Sequence, residues 1–217
     1  MKFKLSPSSI HLMEECPRCF WLAQHGKWQR PESIFPSLPL GIDNILKKHF
    51  DRFAVIGELP PELCKDRECE TFILFPDMDK LNIWRNNKKG ITWTDSEGNI
   101  LKGAIDNLLF NKLTKKFVVL DYKTRGFPLK ENTHEHYQNQ LDIYSFLLIK
   151  NNYEVENFAY LLFYVPKEVL QTGEVIFETT LKKMKVNTDN ACRIWQKAIR
   201  LLNGECPDIK CEWCKGC

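Results

Sequence analysis

Apolar and polar positions along the chain follow two different periods. Residues 8–24 carry Ile10, Met13, Phe20 and Trp21 at helical spacing behind Ser6, Ser8 and Ser9, any of which can cap a helix start. A proline-punctuated stretch, 26–39, predicts a loop. Residues 41–53 return to the helical period, with Ile42, Ile45, Leu46, His49, Phe50 and Phe53 along one side. From 57 to 89 the pattern is weak. The period then shortens to two: strands are expected at 91–95, 100–110 and 116–124, joined by turns at 96–99 and 111–115. A helix over 133–150 follows, then strands at 157–165 and 174–181. A last helix over 188–202 ends at Asn203-Gly204.

Antiparallel strands followed by helix, strands and helix predict an α/β fold with a mixed central β-sheet flanked by helices. The 217 residues fit a single domain, 1–217. Composition is that of an ordinary globular chain, 43% hydrophobic and 27% charged, which excludes disordered and collagen-like classes. No apolar run approaches the roughly 18 residues that cross a bilayer, and residues 1–9 lack a continuous apolar segment, so a cytoplasmic protein without membrane contact is expected. A net charge of +3 neither demands nor excludes nucleic acid.

Nine cysteines, an odd number, argue against a disulfide framework. Cys16 and Cys19 lie near one end; Cys206, Cys211, Cys214 and Cys217 crowd the other. Placed three apart on the first helix, Cys16 and Cys19 share a face. A metal-binding lobe built from 8–24 and 204–217 is therefore expected. Four thiolates suit tetrahedral Zn²⁺ and equally a [4Fe-4S] cluster, and spacing leaves both open. Cys206, farthest from the tight C-terminal run, ranks lowest as a ligand. Cys64 and Cys69 read as loop thiols.

Further chemistry concentrates in Gly103-Ala-Ile-Asp106 and in Leu120-Asp121-Tyr122-Lys123-Thr124. Asp121 and Lys123 are two apart on a strand and point to one face, with Leu120 and Tyr122 on the other. An antiparallel pairing across the short turn brings Asp106 beside Asp121. Two such acids repel unless a cation sits between them, and their oxygens suit Mg²⁺ or Mn²⁺. A hard ion there acidifies a water beside a phosphodiester, and Lys123 adds a positive charge next to it.

These segments resemble the core of the PD-(D/E)XK nucleases, most closely the RecB-like branch that includes CRISPR-associated and AddB-type nucleases. Gln140-Leu-Asp-Ile-Tyr144 is similar to that branch's Gln-x-x-x-Tyr motif. The resemblance implies a restriction-endonuclease-like fold and a DNA nuclease of exonuclease or end-processing type, working among other DNA-processing proteins. It implies metal ligation by Asp106, Asp121 and the Tyr122 carbonyl, assistance from Lys123, and support from Gln140 and Tyr144. Asp43 and His49 are its candidates for a further ligand on the early helix. It also implies an iron-sulfur cluster held by Cys16, Cys211, Cys214 and Cys217. Two departures bear on that cluster: the Cys214-x-x-Cys217 gap is narrower than the family's, and Cys19 is an additional thiol. Zinc at Cys16, Cys19, Cys211 and Cys214 therefore competes. Arg125 and Lys130 are candidate DNA contacts, and Trp28, Trp84, Trp93 and Tyr137 candidate base-stacking rings. The alternative is a nucleic-acid-binding or adaptor protein that kept the fold and lost cleavage.

Overall fold

A computed structural model describes residues 1–31 and 37–216. The chain opens with a short strand β1 (Lys4–Leu5) and helix α1 (Pro7–Glu15). Ser6 caps α1 reciprocally: Ser9 N donates to Ser6 Oγ at 3.3 Å, and Ser6 N to Ser9 Oγ at 2.8 Å. The expected single helix over 8–24 is in fact two. Pro17 has no N–H to continue the ladder, so α1 ends and Cys16 adopts an extended backbone, φ −157° and ψ 104°. Helix α2 (Pro17–Gln24) then restarts with Pro17 in its first turn. Helix α3 spans Ser37–Ile56, longer than expected at both ends; Leu46 and Phe50 are buried, whereas Ile45 is exposed.

The weakly patterned region folds into short pieces: α4 (Pro61–Cys64), a 3₁₀ turn (Arg67–Thr71), β2 (Phe72–Leu74) and α5 (Met78–Arg85). Strands β3 (Ile91–Thr94), β4 (Ile100–Gly103), β5 (Asn107–Asn111) and β6 (Phe117–Thr124) follow. After a 3₁₀ turn (Thr133–Tyr137) come α6 (Gln138–Lys150), β7 (Phe158–Val169), β8 (Val175–Lys185) and α7 (Thr188–Asn203).

The strands form two sheets, ordered β1-β4-β3 and β2-β5-β6-β7-β8. The expected strand over 100–110 is divided between them, because residues 104–106 leave the first sheet before β5 enters the second. Within the larger sheet β6 pairs antiparallel with β5 and parallel with β7. The parallel pair needs a crossover, and α6 supplies it. Alternation along β6 sends Val118, Leu120 and Tyr122 into a core with Leu46 and Phe50 of α3. Val119 enters the opposite core with Leu141 and Tyr144 of α6 and Trp195 of α7. Asp121 and Lys123 share the period of Val119 and so face the α6 side. Among the described residues no helix is long and apolar enough to cross a membrane.

Candidate active site and a four-cysteine cluster

Residues 104–106 emerge from β4 and deliver Asp106 to the start of β5. The β5–β6 register pairs Asn107 with Leu120, so one step back Asp106 lies opposite Asp121. Its Oδ2 accepts a hydrogen bond from the Tyr122 amide at 3.1 Å. Asp121 is 1% exposed and its Oδ2 forms a close ion pair with Lys123 Nζ. That oxygen accepts no aligned hydrogen bond, whereas Oδ1 accepts one from Gln140 Nε2 at 3.0 Å. Gln140 Nε2 also lies 2.9 Å from the Tyr144 hydroxyl, one helical turn on. Lys123 sits over the ring of Tyr137, 4.7 Å from its centre. The structure thus brings Asp106, Asp121, Lys123, Gln140 and Tyr144 together. The Tyr122 side chain faces away: its hydroxyl accepts from Asn107 Nδ2 at 2.6 Å and its ring packs on Phe50, which leaves only its backbone on this side.

Burial dominates the electrostatics. The Asp121 carboxyl is pushed up to about 7 by desolvation, with Asp106 adding to the rise and Lys123 opposing it. Burial works against the charge on Lys123, yet the two carboxylates outweigh it and hold the ammonium above its ordinary range.

Helix α3 adds two groups. Asp43 lines the same cleft of about 310 Å³, and Lys47 Nζ bridges Asp43 Oδ2 at 2.7 Å and Asp106 Oδ1 at 3.2 Å. Lys47 has no counterpart in the sequence reading; its one signal is its i+4 spacing from Asp43 on a helix already suspected of a ligand. Arg85 was equally invisible, being in the weakly patterned region. Its Nε donates to the Asp106 carbonyl at 2.6 Å while Nη1 pairs with Asp51 at 2.6 Å, which fixes the backbone of the acid. His49 is not brought to the cleft. Two turns from Asp43, it faces Glu62, with Nε2 3.1 Å from Oε1.

Asp106, Asp121 and Asp43 therefore line one cleft as oxygen donors, with Asp121 Oδ2 paired to Lys123 and the facing oxygens of Asp43 and Asp106 paired to Lys47. That donor set fits a hard divalent cation. The profile of the PD-(D/E)XK nuclease superfamily matches residues 4–217. The chain belongs to that superfamily. Its two mixed sheets with flanking helices are a restriction-endonuclease-like fold, and a nuclease acts on nucleic acid. No curated protein matches the chain in sequence. A solved structure described as "Crystal structure of SSO0001" aligns over 99% of this chain and 84% of its own, at 16% identity and a TM-score of 0.43; so remote a likeness carries no inference.

The nuclease cleft continues past Asn87, Ala104, Gln140 and Tyr144 into a groove of about 670 Å³ beside Ser6, Ser8 and His136. Arg125, just beyond β6, has a buried Nε without a hydrogen-bond partner. Lys130 is exposed and lines a separate depression with Glu131 and Lys182. Trp84 is buried against Phe75, and Trp93 packs on Phe146 and Trp195. Trp28 packs partly buried against the core. Of the four candidate stacking rings, Tyr137 alone lies in the groove.

Cys16, Cys19, Cys211 and Cys214 place their sulfurs within 4.8 Å of one another. The Sγ atoms of Cys19 and Cys211 are 3.4 Å apart, those of Cys211 and Cys214 3.8 Å, and those of Cys16 and Cys214 3.9 Å. Such a donor set fits a thiophilic metal. The break at Pro17 changes how the first pair works: Cys16 caps α2, its Sγ accepting from Cys19 N at 3.4 Å, so the two thiols come from a helix start rather than a continuous face. Cys206 stays outside the cluster, and Cys217 lies outside the described residues. Cys64, exposed at the end of α4, and Cys69, buried in the 3₁₀ turn, both lie outside the cluster.

Proposed function

We propose that the chain is a Mg²⁺- or Mn²⁺-dependent deoxyribonuclease of the RecB-like branch, acting at DNA ends as an exonuclease or end-processing enzyme in the cytoplasm. The observation that carries this reading is the convergence on one cleft of Asp106, just before β5, with Asp121 and Lys123 of β6, and with Gln140 of α6 bonded to Asp121. Asp106, Asp121 and the Tyr122 carbonyl would hold the ion, with Asp43 as a further carboxylate. When bound, a hard divalent ion acidifies a water and offsets charge on the phosphoryl oxygens. Lys123 places a fixed positive charge beside that water and the scissile phosphate. Gln140 orients Asp121, and Tyr144 orients Gln140. Arg125 and Lys130 would take backbone phosphates. The four cysteines would tie the first helices to the tail within one nuclease domain, as a structural site.

The test is cleavage of end-labelled single- and double-stranded DNA with Mn²⁺, Mg²⁺ or EDTA, comparing the wild type with Asp121→Ala and Lys123→Ala. Metal-dependent cleavage lost in both variants is the expected result. Undiminished cleavage in both rejects the site. DNA binding without cleavage under every condition favours the adaptor reading instead.

A further inference from the structure

We propose that Cys16, Cys19, Cys211 and Cys214 bind a single tetrahedral metal ion of the zinc class and not an iron-sulfur cubane. The proposal deepens the reading of a structural metal at the chain ends and rests on it, but not on the chemistry at Asp106 and Asp121.

Distance favours the single ion. Four Zn–S bonds of about 2.3 Å directed tetrahedrally place the sulfurs roughly 3.8 Å apart. The Cys19–Cys211, Cys211–Cys214 and Cys16–Cys214 separations of 3.4, 3.8 and 3.9 Å surround that value, and all four sulfurs lie within 4.8 Å. In a cubane each thiolate binds a different iron. Two thiolate sulfurs are then separated by two Fe–S bonds and an iron–iron edge, which splays them well past this cavity. Cys16, Cys19 and Cys214 are buried, so four irons and four sulfides would fit only by driving α2 away from the tail.

The backbone agrees. Both pairs are Cys-x-x-Cys turns: Cys19 N donates to Cys16 Sγ, and Cys214 N donates to the Cys211 carbonyl at 3.1 Å. Each turn presents two sulfurs to one point, which suits a single ion. Four thiolates on a divalent ion leave a net charge of about −2. Arg30 supplies a counter-charge, with Nη2 3.9 Å from Cys211 Sγ and Nη1 2.5 Å from Glu15. Cys19 has a defined place in this scheme; in the cluster implied by the family pattern it is surplus.

The experiment is metal analysis of the full chain purified anaerobically, with the visible spectrum and cobalt exchange. About one zinc per chain, no broad absorption near 400 nm, and intense ligand-field bands of tetrathiolate cobalt are expected. Cys19→Ser should lose at least 10-fold in zinc affinity, and Cys217→Ser should keep it. Should Cys19→Ser fail to fold, the cobalt spectrum of the wild type decides. Iron and sulfide near four per chain, kept in Cys19→Ser and lost in Cys217→Ser, overturns the proposal. So does a chain that binds neither metal. Asp121→Ala should keep its zinc. An iron-sulfur protein that cleaves DNA would sink this assignment alone, and a zinc protein that does not cleave would sink only the nuclease reading.

Discussion

Gln140 donates a 3.0 Å hydrogen bond to Asp121, so the helix that crosses over the sheet holds the acid at its centre. The same amide nitrogen meets Tyr144 at 2.9 Å, which fixes its rotamer. A carboxylate that ligates a metal depends on such outer contacts for its orientation. Gln140→Ala should therefore weaken Mn²⁺ affinity or cleavage by about 10- to 100-fold while leaving DNA binding in EDTA near the wild type. Cleavage titrated against Mn²⁺ reads it; an unchanged titration would show that Asp121 needs no orienting partner.

Lys47 bridges Asp43 and Asp106, the place where a divalent ion would neutralise them. Its ammonium is held above the ordinary range; burial opposes the charge, and the two carboxylates outweigh burial. A competing cation of this kind raises the ion concentration needed. Lys47→Met should lower half-saturating Mn²⁺ by about 3- to 10-fold, on the order of 1 kcal/mol for a partly exposed pair. Calorimetric titration of the DNA-free protein isolates this effect from any contact with phosphate. Weaker Mn²⁺ binding in the variant would instead make Lys47 a support for the acids.

The elements with a clean period were legible in the sequence, and the breaks between them were not. Strand β6 and the Asp121–Lys123 pair follow directly from alternation, as does the antiparallel step that brings Asp106 opposite. The division of 100–110 into β4 and β5 was invisible because Ile105 keeps the apolar pattern going while its backbone bonds to Trp84 of α5. Whether Pro17 kinks the helix expected over 8–24 or starts a new one is settled by packing, here the approach of Cys16 to Cys214. Lys47 and Arg85 reach Asp106 from more than 20 positions away in the chain, and the i+4 spacing of Lys47 from Asp43 is the one local signal of either.

Gly103 ends β4 under the ring of Tyr144, and a Cβ there would stand 2.8 Å from Tyr144 Cδ1 and Cε1 and 2.9 Å from Leu147 Cδ1. The glycine permits this close approach, and φ plays no part in it. Gly103→Ala should cost about 1–3 kcal/mol by overpacking. It should also reduce cleavage, because the displaced tyrosine is the partner that locks Gln140. A melting curve and a cleavage rate together test this: loss of stability with full activity would uncouple Tyr144 from the site.

The Asp121 carboxyl, with an ordinary value of 3.8, is pushed up to about 7, first by burial and then by Asp106, against the pull of Lys123. The folded state thus keeps this proton over a range in which the unfolded chain has lost it. The stability it contributes is fully present below about pH 4 and is lost as pH rises through about 7. A divalent ion between the acids takes over from the proton. Without metal the melting temperature should fall between pH 5 and pH 8, and Mn²⁺ should raise it more at pH 8 than at pH 5. Cleavage should rise over the same interval as Asp121 ionises. Scanning fluorimetry with EDTA or Mn²⁺ across this range, with Asp121→Asn as the variant that removes the titration, measures both slopes. An equal Mn²⁺ shift at both pH values would mean that the ion does not bind where the proton leaves.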